Sequence, residues 1–186
     1  MDEPSRKEQR KTERFHQIPI FSSLSGQETG RILRITQEVA VPRDGTIFKP
    51  GDPCDGFYII LDGRVEIRIA PGTPGAEGTT IATLATRSVF GEMSFLGKRN
   101  RSAWAIAREE TRLNRIDGAA FQDLLDKGDI AAYKVIHNFA KLIATRLRKL
   151  EDELMRVLEA VAPERRSAKL AELQEFRQTL FRDWSF

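Results

Sequence analysis

The hydrophobic positions of this chain change period twice. Residues 1–14 carry nine charges and no large apolar residue beyond Met1, so a mobile tail or the frayed start of a helix is expected there. Apolar residues begin at Phe15 and recur at Ile18, Ile20, Phe21 and Leu24. Ile18–Pro19 predicts a turn or helix boundary, because the residue before proline avoids the α region. Ile32, Leu33 and Ile35 predict one short helix over Gln27–Glu38. From Val39 to Ala70 the period falls to two. Thr46–Phe48 and Gly56–Leu61 read as strands, and Arg64–Ile69 alternates strictly between charged and apolar residues. Turns punctuate them at Pro42–Gly45 and Pro50–Asp52, and Asp62–Gly63 carries a two-residue hairpin signal. Pro71–Gly78 holds two prolines and three glycines, a loop composition. Further strands are expected at Thr79–Leu84, Ser102–Ala107 and Arg112–Ile116, a spacing that suits a small barrel or sandwich.

After Gly118 the period becomes helical. Ala119–Leu125 predicts a short helix, and Ile130 to about Val161 a long one. Pro163 opens a last amphipathic stretch with Leu170, Leu173, Phe176, Leu180 and Trp184 on one side. Short helices, then strands, then long helices make an α+β arrangement. Four parts follow: a tail over 1–14, a barrel with its N-terminal helices over 15–128, a long helix over 129–162 and a C-terminal helix over 163–186. Along the long helix Tyr133, Ile136, Ala140, Ile143, Leu147, Leu150, Leu154, Val157 and Val161 step by three and four without a break. That spacing predicts a coiled coil and a parallel homodimer, with Arg146 and Glu151 at facing flank positions.

Composition narrows the function. With 30 Lys+Arg against 27 Asp+Glu, the net charge is +3, so charge alone does not point to nucleic acid. Cys54 is the single cysteine, which excludes an internal disulfide and suits a reducing compartment. No run approaches a membrane-spanning length, and the charged N-terminus lacks the apolar core of a secretory signal, so a cytoplasmic protein is expected. His16 and His137 have no partners at metal-ligand spacing, and no nucleophile, zinc-protease or P-loop motif occurs. Neither a catalytic residue nor a metal ligand is assigned, and an enzyme is not expected.

The chemistry concentrates in Val89–Trp104. A glycine, Gly91, precedes a short helical turn that starts at Glu92, and a basic loop then leads to Arg101, Ser102 and a strand. Gly91 leaves room for a ligand's close approach, and a helix start offers backbone N–H groups to an anion. Arg101 can present parallel donors to two phosphate oxygens, and Ser102 adds a hydroxyl. Ionised Glu92 only accepts, which suits a sugar hydroxyl.

Phe90-Gly91-Glu92, followed by Arg101-Ser102-Ala103-Trp104, resembles the phosphate-binding cassette of the cyclic-nucleotide-binding domain family, found in catabolite activator proteins and protein kinase A regulatory subunits. Ile18-Pro19-Ile20-Phe21, Gly45–Phe48, Gly51-Asp52 and Phe57–Val65 resemble its flanking helices and early strands, so the resemblance covers about residues 15–160. It implies a jelly-roll-like β-barrel that holds a 3′,5′-cyclic nucleotide. Arg101 would pair with the cyclic phosphate, with Ser102 and the backbone after Gly91, through Met93 and Ser94, completing the anion site. Glu92 would accept from the ribose 2′-hydroxyl, and Ala103 would let the strand pack on the ligand. Gly51 and Gly63 would be structural glycines outside the site. Base contacts would come from the long helix at Thr145, Arg146, Leu150 or Glu151. Trp104 can stack on a base, or simply pack as a strand residue. In that family a threonine after the cassette arginine accompanies guanine preference, so Ser102 implies cAMP over cGMP. The chain departs from the family at Met93-Ser94-Phe95, where leucine and small residues are more usual. Bacterial activators continue into a DNA-binding domain, but only 25 residues follow Val161 here. The expectation is a sensor in signal transduction without its own output domain, no direct DNA contact, and an effector protein as partner. A ligand-free interaction scaffold of the same fold is the alternative.

Overall fold

Strand pairing connects residues far apart in the sequence. The computed structural model describes residues 13–70 and 78–159. In chain order the strands are β1 (Thr36–Val41), β2 (Thr46–Phe48), β3 (Gly56–Asp62), β4 (Arg64–Ile69), β5 (Thr79–Ala85), β6 (Val89–Phe90), β7 (Trp104–Ala107) and β8 (Thr111–Asp117). The helices are α1 (Gly26–Leu33), α2 (Glu92–Leu96), α3 (Gly118–Asp126) and α4 (Ile130–Glu159), with a 3-10 turn at Pro19–Phe21. One sheet has the order β1-β8-β3-β6 and the other β2-β7-β4-β5, and every pairing is antiparallel. Val41, Tyr58, Ile60, Phe90 and Leu113 from the first sheet share one core with Phe48, Val65, Ala105 and Ala107 from the second. This is the α+β, jelly-roll-like barrel with N-terminal helices and a long C-terminal helix that the resemblance implied.

Three local readings change. Helix α1 ends at Leu33, and Thr36–Glu38 open a strand instead of extending the helix. Thr36 lies opposite Ile116 on β8, so sheet pairing overrides the helical spacing that ended at Ile35. Asp62–Gly63 is not a hairpin turn. Strand β3 pairs with β8 and β6, whereas β4 pairs with β7 and β5. Gly63, at φ +95, carries the chain from one sheet to the other, and a Cβ there would lie 2.5 Å from the Thr111 hydroxyl. The two-residue strand β6 is new. The expectations for residues 1–12, the loop 71–77, Val161 and the helix from Pro163 lie outside the described residues.

Ser25 and Glu28 form a capping box on α1: the Ser25 hydroxyl accepts from the Glu28 amide at 3.3 Å, and Glu28 accepts from the Ser25 amide at 2.6 Å. Both Glu28 oxygens also accept from Lys134 on α4 at 2.8 Å. Arg31 pairs with Asp129 at 2.9 Å, and the Asn138 amide donates to the Ile20 carbonyl at 3.0 Å and to Ser23 Oγ at 2.9 Å. These contacts fasten the first turns of α4 to the N-terminal helices. Lys134 and the cap hold the Glu28 carboxyl down at about 2, against an ordinary 4.5. A carboxyl depressed on folding contributes stability that is present above its unfolded value and lost as pH falls through its folded value. Glu28→Gln is therefore expected to melt below the wild type at pH 7. The difference should narrow between about pH 4.5 and 2 as the wild-type carboxyl protonates, measured by thermal melts across that range.

The described residues divide into two units, one ending at Ala140 and the other starting at Lys141. In the first, α4 buries Ala131, Ala132, Val135, Asn138 and Phe139, while Tyr133 of the heptad stripe is 51% exposed. In the second, Leu147, Leu150, Leu154 and Val157 all stand exposed on the helix. No described helix is long and apolar enough to cross a membrane.

Candidate functional site

Gly91 sits at the N-cap of α2 in the left-handed region, at φ +78. A Cβ there would lie 2.8 Å from Nη1 of Arg101, so glycine is what lets the arginine pass close to this backbone. Arg101 itself is 2% exposed. Its backbone is fixed from both sides: its amide donates to the Asp52 carbonyl at 2.9 Å, and its carbonyl accepts from the Gly51 amide at 2.8 Å. Gly51, read as remote from the site, thus anchors the main chain of Arg101.

The guanidinium lies over the Phe48 ring, 4.4 Å from its centroid, with Tyr58 at 5.5 Å. Its Nη1 donates to the Gly91 carbonyl at 3.0 Å, and Nη2 donates to the Gly56 carbonyl at 2.8 Å and to Asp55 Oδ1 at 2.7 Å. Nε is buried and has no hydrogen-bond partner among the described residues. A buried charge needs compensation, and Asp55 supplies it. Asp55 also accepts from Arg115 Nη1 at 2.6 Å through Oδ2, and the Tyr58 hydroxyl lies 3.3 Å from each carboxylate oxygen. Burial works to raise the Asp55 carboxyl, but Arg115 and Arg101 outweigh it and hold the group below the ordinary aspartate range. Burial, reinforced by the Asp55 charge, pushes the Tyr58 hydroxyl up to about 12, so Tyr58 stays a neutral donor.

Of the residues singled out in the sequence, Gly91 and Arg101 come together directly. Glu92 is 1% exposed, on the first turn of α2. Met93 and Ser102 are exposed, and Ser94 and Ala103 are half-buried. Ser94 lines a surface cleft with Cys54, Lys98 and Gln122. Trp104, on β7, is half-buried. Thr145, Arg146, Leu150 and Glu151 lie on α4 in the second unit, where the Thr145 hydroxyl donates to the Lys141 carbonyl at 2.9 Å.

Asp55 and Arg115 were not read from the sequence. Two signals for them exist there. A cassette arginine destined for burial calls for a carboxylate, and Arg115 stands two residues from Leu113, on the inward-facing alternation of β8.

A buried arginine with a spare N–H, set behind a glycine at the start of a short helix, is an arrangement that can take up a small anion. The donor set fits a cyclic phosphate, since the unpartnered Nε supplies the kind of donor such a group takes up. Comparison with known proteins agrees. Residues 38–128 match the cyclic nucleotide-binding domain. The cyclic AMP receptor protein of Thermus thermophilus is 33% identical over 136 residues, which are 73% of this chain and 60% of that protein. The crystal structure of the Thermus thermophilus catabolite activator protein superposes with a TM-score of 0.64 at 32% identity, covering 75% of this chain and 62% of that one. A cyclic nucleotide-binding domain from Methylobacillus flagellatus gives 0.70 at 26% identity, covering 79% and 84%. The barrel over residues 38–128 is thus a cyclic nucleotide-binding domain, in a chain that spans 60% of the length of its Thermus relative.

Proposed function

We propose that this chain is a cyclic-nucleotide sensor that takes cAMP in preference to cGMP and relays binding through α4 to an effector protein. The observation that carries the reading is the buried Arg101, whose Nε lacks a partner while Gly91 keeps the backbone beside it bare. Arg101 would take the cyclic phosphate and Glu92 the ribose 2′-hydroxyl. The name of the Thermus relative, a cyclic AMP receptor, supports adenine. A relay is supported by the aromatic packing of the first unit. Phe95 of α2 lies 5.3 Å from Phe57 and 5.6 Å from Phe121 of α3, and Phe57 lies 5.0 Å from Phe139 of α4. A shift of the cassette helix therefore meets α4 across one ring.

A second reading, a ligand-free scaffold, is favoured by one fact: Asp55 already gives Arg101 an anion. Thermal unfolding with cAMP and with cGMP separates the two. Ligand at about 100 times Kd should add roughly 2.7 kcal/mol of stability. The absence of a shift with either nucleotide would establish the scaffold. In competition, cAMP is expected to bind more tightly, and cGMP binding about tenfold tighter, a difference of about 1.4 kcal/mol, would reverse the assignment of the base.

A further inference from the structure

Arg115 is the second cation at the site, and the cassette does not account for it. It lies opposite Tyr58 in the β3–β8 register, on the strand face that Leu113 gives to the barrel core. Its Nη1 donates to Asp55 Oδ2 at 2.6 Å and its Nη2 to Gln37 Oε1 at 3.1 Å, with Asp117 4.0 Å away. Asp55 thus divides its oxygens between two guanidinium groups, Oδ1 to Arg101 and Oδ2 to Arg115. An anion that arrives at Arg101 competes with Oδ1. With Arg115 in place, the displaced carboxylate keeps one charged partner. Without Arg115 it would lose its only one and stand uncompensated beside a second anion.

We propose that Arg115 is a positioning residue for ligand affinity: it holds Asp55 so that Arg101 can be released to an anionic phosphate. The proposal rests on the reading of the barrel as a cyclic-nucleotide site. It makes Asp55 a shared counter-ion that changes partner, and it sets affinity by a residue that does not touch the ligand.

Calorimetric titration of the full chain with cAMP tests it, with ligand-free melting temperatures as a check on folding. Arg115→Gln, and Arg115→Met as a second variant that keeps the aliphatic stem, are each expected to bind about tenfold more weakly, the size of one charged hydrogen bond. Arg115→Lys should stay within about threefold of the wild type, because it keeps the charge. On an Asp55→Asn background, which leaves no carboxylate to compensate, Arg115→Gln should change affinity by less than about threefold. An equal loss on both backgrounds would mean that Arg115 acts on the ligand or the fold directly, and would overturn the proposal. So would unchanged affinity in Arg115→Gln when the wild type binds. If the wild type binds neither cAMP nor cGMP, the underlying reading falls, and the proposal with it.

Discussion

Arg101→Ala is expected to weaken cyclic-nucleotide binding by about a hundredfold or more, because charged hydrogen bonds contribute about 1.5–3 kcal/mol each and a phosphate fork makes two. The substitution removes the one guanidinium that lies between Gly91, Phe48 and Asp55. Truncation should leave the fold intact, since Asp55 keeps Arg115 at 2.6 Å and its side chain is 41% exposed. Folding and binding are therefore separable in this variant. Titration calorimetry reads the affinity, and a melting curve without ligand reads the fold. Arg101→Lys keeps the charge but not the planar fork, so an intermediate loss is expected. Wild-type affinity in a folded Arg101→Ala protein would remove the phosphate role.

Leu150→Asp is expected to convert a homodimer into monomers. Leu147, Leu150, Leu154 and Val157 recur at three- and four-residue steps on α4, and they are 46%, 65%, 42% and 57% exposed. Large apolar side chains lined up on one helix face mark an interaction surface. In a parallel pair with Leu147 at position a, Leu150 takes d, Arg146 takes g and Glu151 the following e, which places opposite charges across the seam. Aspartate at the d position would bury an unpaired carboxylate in each helix. Light scattering measures the outcome directly. A wild type that is monomeric with and without nucleotide would dismiss the dimer.

The parts legible in the sequence are the local ones. Phe90-Gly91-Glu92 and Arg101-Ser102-Ala103 lie on one short stretch, and their spacing alone carries the cassette. Phe57–Leu61 is apolar enough to read as a buried strand whatever it pairs with. Asp55 was illegible because Pro53-Cys54-Asp55-Gly56 looks like any turn. Its role appears only when Arg101, 46 positions on, folds back onto it. Arg115 hid for a related reason. Alternation puts it on the same face of β8 as Leu113 but names no partner for it until the register sets it opposite Tyr58. Gly63 misled in the other direction. Turn chemistry reports a reversal of the chain, but not whether the next strand rejoins the same sheet.

The nesting of those sheets governs when the protein can form at all. Thr36 waits for Ile116, and Thr46 for Ile106, while β3, made early, borders β6 and β8. During synthesis the first three strands therefore emerge without neighbours, and no hairpin between β3 and β4 shelters them. Among the described strands, only the β4–β5 pair can close early. Such a topology favours slow folding, because distant loop closures precede any reward from pairing. It also leaves Phe57–Leu61, an apolar stretch with open edges, exposed on the nascent chain until Asp117 has left the ribosome. The arrangement that brings Asp55, Arg101 and Arg115 together is thus also one that leaves half a barrel without strand partners while the rest is made.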